Sequence, residues 1–348
     1  MNIVYLIGNG FDINLDMKTS YANFYEYYIN LPRDNDTDVV KSFKEELCKN
    51  KNTEYWSDLE IALGNYLSKL EANGAVILHE HLIDHLSSYI ALQDNLSFNE
   101  KDKDTFHEYL QNPHVNRLLP VEIEEINSLR LKWERNNWDI KIITFNYTKS
   151  IEKLTDYKDE TIQIRTRRVT NSHRPSNSVP PYQQLSINLS AIEHIHGFTD
   201  ERMILGVNDI SQIANDNLRK ETAIIDRYVK TECNTTYGVN HDEKCQKWIN
   251  EAHLICLFGL SFGDTDRKWW EIVGKALERD CRVIIFEYNS KEKFNKNQGP
   301  ALKAKKEEVK NKFLSKTNIE ENMKSETKKK IYIAYNTDMF KFIDIKKK

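Results

Sequence analysis

Residues 3–12 read Ile-Val-Tyr-Leu-Ile-Gly-Asn-Gly-Phe-Asp, five apolar side chains in a row followed by two glycines, an aromatic residue and an acid. A continuous apolar run of this kind is expected of a parallel strand buried on both faces. The glycines predict a tight strand-to-helix turn around Gly8, Asn9 and Gly10. There the backbone amides can approach a diphosphate, with the positive end of the next helix behind them. The same residues suit a tight connection that holds no ligand. Asp12 is likewise open to two readings, helix N-cap or acceptor for a ribose hydroxyl.

Similar apolar runs recur at 140–145 (IKIITF), 254–258 (LICLF) and 282–286 (RVIIF), with IYIAY at 331–335 as a fifth. Three of the runs lead into polar or glycine-bearing turns, two of those turns opening helical patterns, and this is the grammar of an α/β fold. The fold class expected is a Rossmann-like parallel sheet with a large helical insertion. Residues 1–30 and 139–348 form the nucleotide-binding core and 31–138 the insertion, where Trp56, Leu59, Leu63, Leu67 and Leu70 recur at helical spacing. Ser57 and Glu60 fit a capping box at the start of that helix, with a pocket role for Glu60 as the alternative.

The stretch 155–190 contains RTRRVTNSHRPSNSVPP, which reads as a mobile basic loop. Arg165, Arg167, Arg168 and Arg174 are solvated there or meet phosphates. Residues 303–330 hold ten lysines against five glutamates and read as an exposed helix, with a basic interaction surface as the alternative.

A net charge of −3 over 348 residues gives no global pull toward nucleic acid or an anionic membrane, so nucleic acid is an open but disfavoured partner. The longest strongly apolar stretch, 254–262, is far short of a bilayer span, and the expectation is a cytoplasmic chain with no membrane contact. Five cysteines without a CxxC pair argue against a disulfide framework and a zinc ribbon, leaving Cys256 and Cys281 as small core residues.

Chemistry is expected at the turns that follow the strands, because ligands of open parallel sheets bind outside the strand carboxyl ends. Thr144-Phe-Asn-Tyr-Thr148 sets Asn146 and Thr148 at such a mouth. The Asn146 amide donates and accepts together, which suits a sugar hydroxyl or a water as well as a plain backbone turn. In Ile192-Glu-His-Ile-His-Gly197, two histidines at alternating positions would share a strand face. A third metal ligand at a familiar spacing is missing, so no metal is expected. His196 is placed as a general base or as a structural histidine, with Gly197 leaving room beside it.

Gly259-Leu-Ser-Phe-Gly263 literally matches the G-x-S-x-G form. A serine hydrolase using Ser261 and His196 is therefore a competitor, although its Ser-acid-His chain order is not met. Ser261 otherwise meets a phosphate or ribose, Asp264 or Asp266 caps the next helix, and Trp269 with Trp270 is core.

Taken in this order, GNGFD, ITFNYT, HIHG and GLSFGDTD resemble the bacteriophage abortive infection family AbiH, most specifically through LIGNGFDINLDMKTSYANFYEYY. WSDLE and ILGVND fit the same resemblance. More distantly the motifs resemble sirtuins and sirtuin-like NAD-cleaving defence enzymes, in which a GAGxS loop, a TxN motif, a histidine before glycine and a late GxS line one NAD pocket. The resemblance implies NAD as substrate, with Gly8 and Gly10 on the diphosphate and Asn146 on the nicotinamide ribose and water. His196 would be the base, and Gly259 with Ser261 would meet the adenosine side.

Asp12 stands where sirtuins have serine, and the sirtuin zinc cysteines are missing, so cleavage of NAD is implied rather than deacylation. NAD or a related nucleotide and an unidentified phage-derived trigger are the partners implied, with homo-oligomerisation left open. A non-catalytic nucleotide sensor is the alternative function.

Overall fold

The computed structural model describes residues 1–49, 59–170, 182–295, 297–342 and 346–347. Its strands are β1 (Asn2–Ile7), β2 (Leu96–Ser97), β3 (Trp138–Thr144), β4 (Ile162–Thr170), β5 (Tyr182–His194), β6 (Leu254–Phe258), β7 (Arg282–Glu287), β8 (Ile331–Tyr335) and β9 (Lys346–Lys347). Seven form one sheet in the order β4-β5-β3-β1-β6-β7-β8, and β2 pairs with β9 apart from it. β4 runs antiparallel to β5, while the other six strands are parallel to their neighbours. Counted along the chain, the six parallel strands lie in the order 3-2-1-4-5-6 of a dinucleotide-binding sheet. The five apolar runs are β1, β3, β6, β7 and β8.

β1 shows why an unbroken apolar run was needed. Ile3, Tyr5 and Ile7 enter one hydrophobic core, while Val4 and Leu6 enter the core on the opposite face. Helices Glu100–Gln111 and Pro120–Leu131 cover the first face through Phe106, Leu110, Ile126 and Leu129. Helices His241–Glu251, Arg267–Glu278 and Gly299–Leu314 cover the second through Trp248, Trp270, Val273 and Phe313. A third core gathers helices Tyr21–Ile29, Asp38–Lys49, Leu59–Tyr66 and Ala72–Gln93 together with Leu205, Val207, Ile224 and Tyr228. No helix among the described residues is long and apolar enough to cross a membrane.

One expectation is corrected. Much of 155–190 is the β4–β5 hairpin rather than a loop, and its apex, with Arg174, lies outside the described residues. β4 is an edge strand rich in Arg, Thr and Gln, so it lacks the apolar run that marks a buried strand. Its arginines are already in use. Arg167 donates to the carbonyls of Glu134 and Asn136 and lies over the Trp138 ring, Arg168 lies over Tyr182, and Arg165 reaches Glu108.

The Lys-rich region, in turn, is the connection between β7 and β8. Its helix Gly299–Leu314 is anchored by buried Val309, Phe313 and Leu314, and Lys306 is itself buried beside Glu122. The four buried cysteines are core residues, and burial pushes the thiols of Cys233 and Cys281 up to about 12.

The sheet's switch point lies between β1 and β6, where the turns after both strands touch. A Cβ on Gly10 would lie 2.5 Å from Gly259 Cα, and Gly259 has φ +68°. Gly10→Ala is therefore expected to force the two turns apart and to destabilise the protein by about 3 kcal/mol in chemical denaturation. Gly299→Ala, where a Cβ meets nothing within 4 Å, should stay within about 0.5 kcal/mol of the parent.

Candidate functional site

The turns at the switch point bind each other. Gly8 N donates to Phe258 O, Gly10 N to Gly259 O and Phe11 N to Gly8 O, each at 2.9 Å. The amides expected to face a diphosphate are thus engaged, and both glycines are required first by backbone contact. Asn9 is tied sideways, its Nδ2 donating to Thr19 O and its Oδ1 accepting from Thr19 Oγ1. Across the cleft, Asp264 pairs with Lys316 at 2.7 Å. Ser261 is exposed, no histidine among the described residues hydrogen-bonds it, and positive φ falls on Gly259 and Phe262 instead. That geometry removes the support for a serine nucleophile.

Behind these turns lies a buried polar cluster built from the ends of β1, β3 and β5. Ile7 and Thr144 are register partners, as are Thr144 and His194, so the residues after each strand converge. Asp12 is the third residue of helix Gly10–Asn14 rather than its cap. Both of its carboxylate oxygens accept from Thr148 Oγ1, at 3.0 and 2.8 Å. Burial pushes the Asp12 carboxyl up to about 7; Thr148 offsets part of this, Asp94 adds to it, and Asn146 and His194 pull it down by smaller amounts.

The Asn146 side chain is buried and neither amide atom makes a hydrogen bond of good geometry, although the amide lies close enough to Asp12 to favour its ionised form slightly. Its backbone is fixed, with N donating to Thr144 Oγ1 and O accepting from His194 Nδ1 at 2.8 Å. The other His194 nitrogen meets Glu152 Oε1 at 2.7 Å. A buried amide left without partners costs about 1–3 kcal/mol per group, so the Asn146 amide keeps a donor and an acceptor that folding alone does not use.

A second cluster surrounds His196. β5 ends at His194, so the two histidines serve different networks instead of sharing one strand face. Gly197, at φ +72°, leaves no free space, because a Cβ there would lie 1.9 Å from Arg202 O. His196 Nε2 lies 3.3 Å from Asp266 Oδ1, and the Lys230 ammonium lies 2.8 Å from both that oxygen and Glu60 Oε2.

Asp266 therefore turns inward and does not cap its helix with its side chain. Burial alone would raise its carboxyl, but Lys230 and His196 outweigh that and hold it well below the usual carboxylate range. Burial by itself would lower Lys230, yet the two carboxylates together raise it above the ordinary lysine range. Glu60 pairs with Lys230, while Trp56 and Ser57, its expected capping partner, lie outside the described residues.

The two clusters are joined through the chain itself. Phe145 and Tyr147, on either side of Asn146, place their rings 5.6 and 6.3 Å from that of His196. Phe145 also stacks on the buried Trp270. A cavity of about 20 Å³, lined by His196, Lys230, Asp266, Asn234 and Trp269 among others, has room for one water. Lys230, Glu152 and Tyr147 carried no sequence signal. They are ordinary residues of helices or turns that gain meaning only from partners 36 to 170 residues away.

Residues 4–288 match the family described as Bacteriophage abortive infection AbiH. The chain belongs to the AbiH family. Its role accordingly falls in phage abortive infection. Nothing among curated proteins matches the chain. The matched span runs from β1 to the end of β7, so both polar clusters of this AbiH protein lie wholly inside it.

Asp12 gives this AbiH protein a pH-dependent stability. The folded carboxyl titrates near 7 and the unfolded one near 3.8, so between those values the folded state holds a proton that the unfolded state has released. Stability is expected to fall as pH rises through that window, by about 4 kcal/mol at most, and Asp12→Asn should abolish the fall in denaturant titrations at pH 4.5 and 8. Lys230→Met, which leaves Glu60 and Asp266 buried without a cation, should cost about 3–5 kcal/mol in the same measurement.

Proposed function

We propose that this AbiH protein is a NAD glycohydrolase of phage defence, releasing nicotinamide and ADP-ribose. The observation that carries the reading is the orphaned amide of Asn146, buried at the strand ends beside the switch point of a dinucleotide-type sheet. The ligand is expected to enter past Gly8, Asn9 and Gly10 on one side and Gly259, Ser261 and Asp264 on the other. Asp12 and Thr148 would lie under the ribose.

In the proposed step the bond between nicotinamide and C1′ breaks, its electron pair neutralising the pyridinium. The oxocarbenium-like sugar is captured by water, and His196 takes one proton from that water. Because the leaving group departs neutral, no general acid is required, which agrees with a site offering an amide and a histidine where a carboxylate pair would otherwise be needed. Asn146 supplies a donor and an acceptor for the ribose hydroxyl and the water without adding charge.

A second reading, a non-catalytic nucleotide sensor, is favoured by two features: the turn amides are engaged, and the cavity at His196 has room for only about one water. The two readings separate in infected cultures that the protein protects. The enzyme predicts nicotinamide release and a falling NAD pool, with Asn146→Ala and His196→Ala each lowering release by about 100-fold or more. A constant NAD pool during protection, with NAD binding retained by calorimetry, would leave the sensor.

A further inference from the structure

We infer that Asp266 is the positioning carboxylate of His196, fixing the neutral ring as the Nε2–H tautomer and leaving Nδ1 as the atom that takes the proton. The inference rests on the reading of His196 as base, but its structural half stands without any substrate.

Charge decides which ring nitrogen carries the proton. Lys230 Nζ donates to Asp266 Oδ1 and to Glu60 Oε2, each at 2.8 Å. With a buried ammonium on it, Asp266 is ionised, and an ionised carboxylate only accepts hydrogen bonds. His196 Nε2 lies 3.3 Å from Asp266 Oδ1, so it is the ring nitrogen placed to carry the proton toward that carboxylate. The other tautomer would aim the Nε2 lone pair at a carboxylate oxygen inside the protein.

The ring has little freedom to turn away from this arrangement. Phe145 meets it edge to face, with the planes at 87°, Tyr147 lies on another side, and the backbone carbonyl of His196 accepts from Ile204 N at 2.9 Å. Nδ1 has no hydrogen bond among the described residues, and His196 lines the one-water cavity. When water adds to C1′, its proton moves to Nδ1. The imidazolium so formed keeps its Nε2–H on Asp266, which balances the new charge without moving.

Glu60 and Lys230 belong to the mechanism only through Asp266. Lys230 follows Val229, a residue of the core that holds the helices, and Glu60 lies on helix Leu59–Tyr66. The orientation of the base is thereby set from outside the sheet.

The test is ring ¹⁵N spectroscopy of the full chain labelled on histidine, at pH 8.5, with the His196 signals identified by their loss in His196→Gln. The parent is expected to show Nε2 protonated and Nδ1 unprotonated. Asp266→Asn, which leaves Lys230 its bond to Glu60, should shift both signals toward a tautomer mixture, and Asp266→Glu should restore the parent pattern.

A parent ring protonated on Nδ1, alone or together with Nε2, overturns the assignment even if neither Asp266 variant folds. In cultures where nicotinamide is released, Asp266→Asn should lower kcat by about 100-fold with KM within about 3-fold, and an unchanged kcat overturns the positioning role. If the parent releases no nicotinamide while the tautomer is as expected, the reaction fails and the ring assignment stands.

Discussion

The contact between Gly10 and Gly259 governs the rest of this molecule. Two strands that are neighbours in space but 247 residues apart in sequence end side by side, and their turns pass with backbone against backbone. No side chain fits between them, so each strand can continue straight into its helix. That directness places Asp12 under Thr148 and brings Asp266 into reach of His196. A looser crossing would leave the same residues present but apart.

Around that contact the protein gathers an unusual amount of buried polarity. Lys230, Glu60, Asp266 and His196 come from four separate segments, and desolvating them costs several kcal/mol per ion before their attraction offsets any of it. A purely structural role would be met as well by apolar residues of similar volume. Keeping two carboxylates, one ammonium and an imidazole together makes sense where a defined charge and a defined ring orientation are needed at one point. The unsatisfied Asn146 amide, flanked by the Phe145 and Tyr147 rings that lie beside His196, belongs to the same logic: it forgoes well-formed internal hydrogen bonds where folding alone would favour an apolar side chain.

The sheet was legible because burial on both faces leaves one strong signal, and β1, β3, β6, β7 and β8 all carry it. β4 was illegible for the complementary reason. An edge strand needs no apolar run, and its Arg and Thr residues look like those of a loop. Asn146, Thr148 and Asp12 could be placed at the right mouth because strand ends are fixed by strand starts. What they touch could not be read, since a carboxylate that caps a helix and one that receives Thr148 look alike in a sequence. Lys230 and Glu152 were beyond reach altogether, being single charged residues whose partners are set by tertiary packing.

The closed turns carry a quantitative consequence for any ligand that must use their amides. Each interloop hydrogen bond contributes about 0.5–1.5 kcal/mol, and two of them, Gly8 to Phe258 and Gly10 to Gly259, must break for those amides to turn outward. An opening cost of about 1–3 kcal/mol lowers apparent affinity by roughly 5- to 150-fold, because only the open fraction binds. Such a restraint would keep the amides turned inward until it is released. It also identifies the kind of trigger that would act here. A partner that favours separation of the β1 and β6 turns would release the restraint without touching Asn146 or His196, and a preference of about 150-fold for the open form would offset even the upper end of that cost.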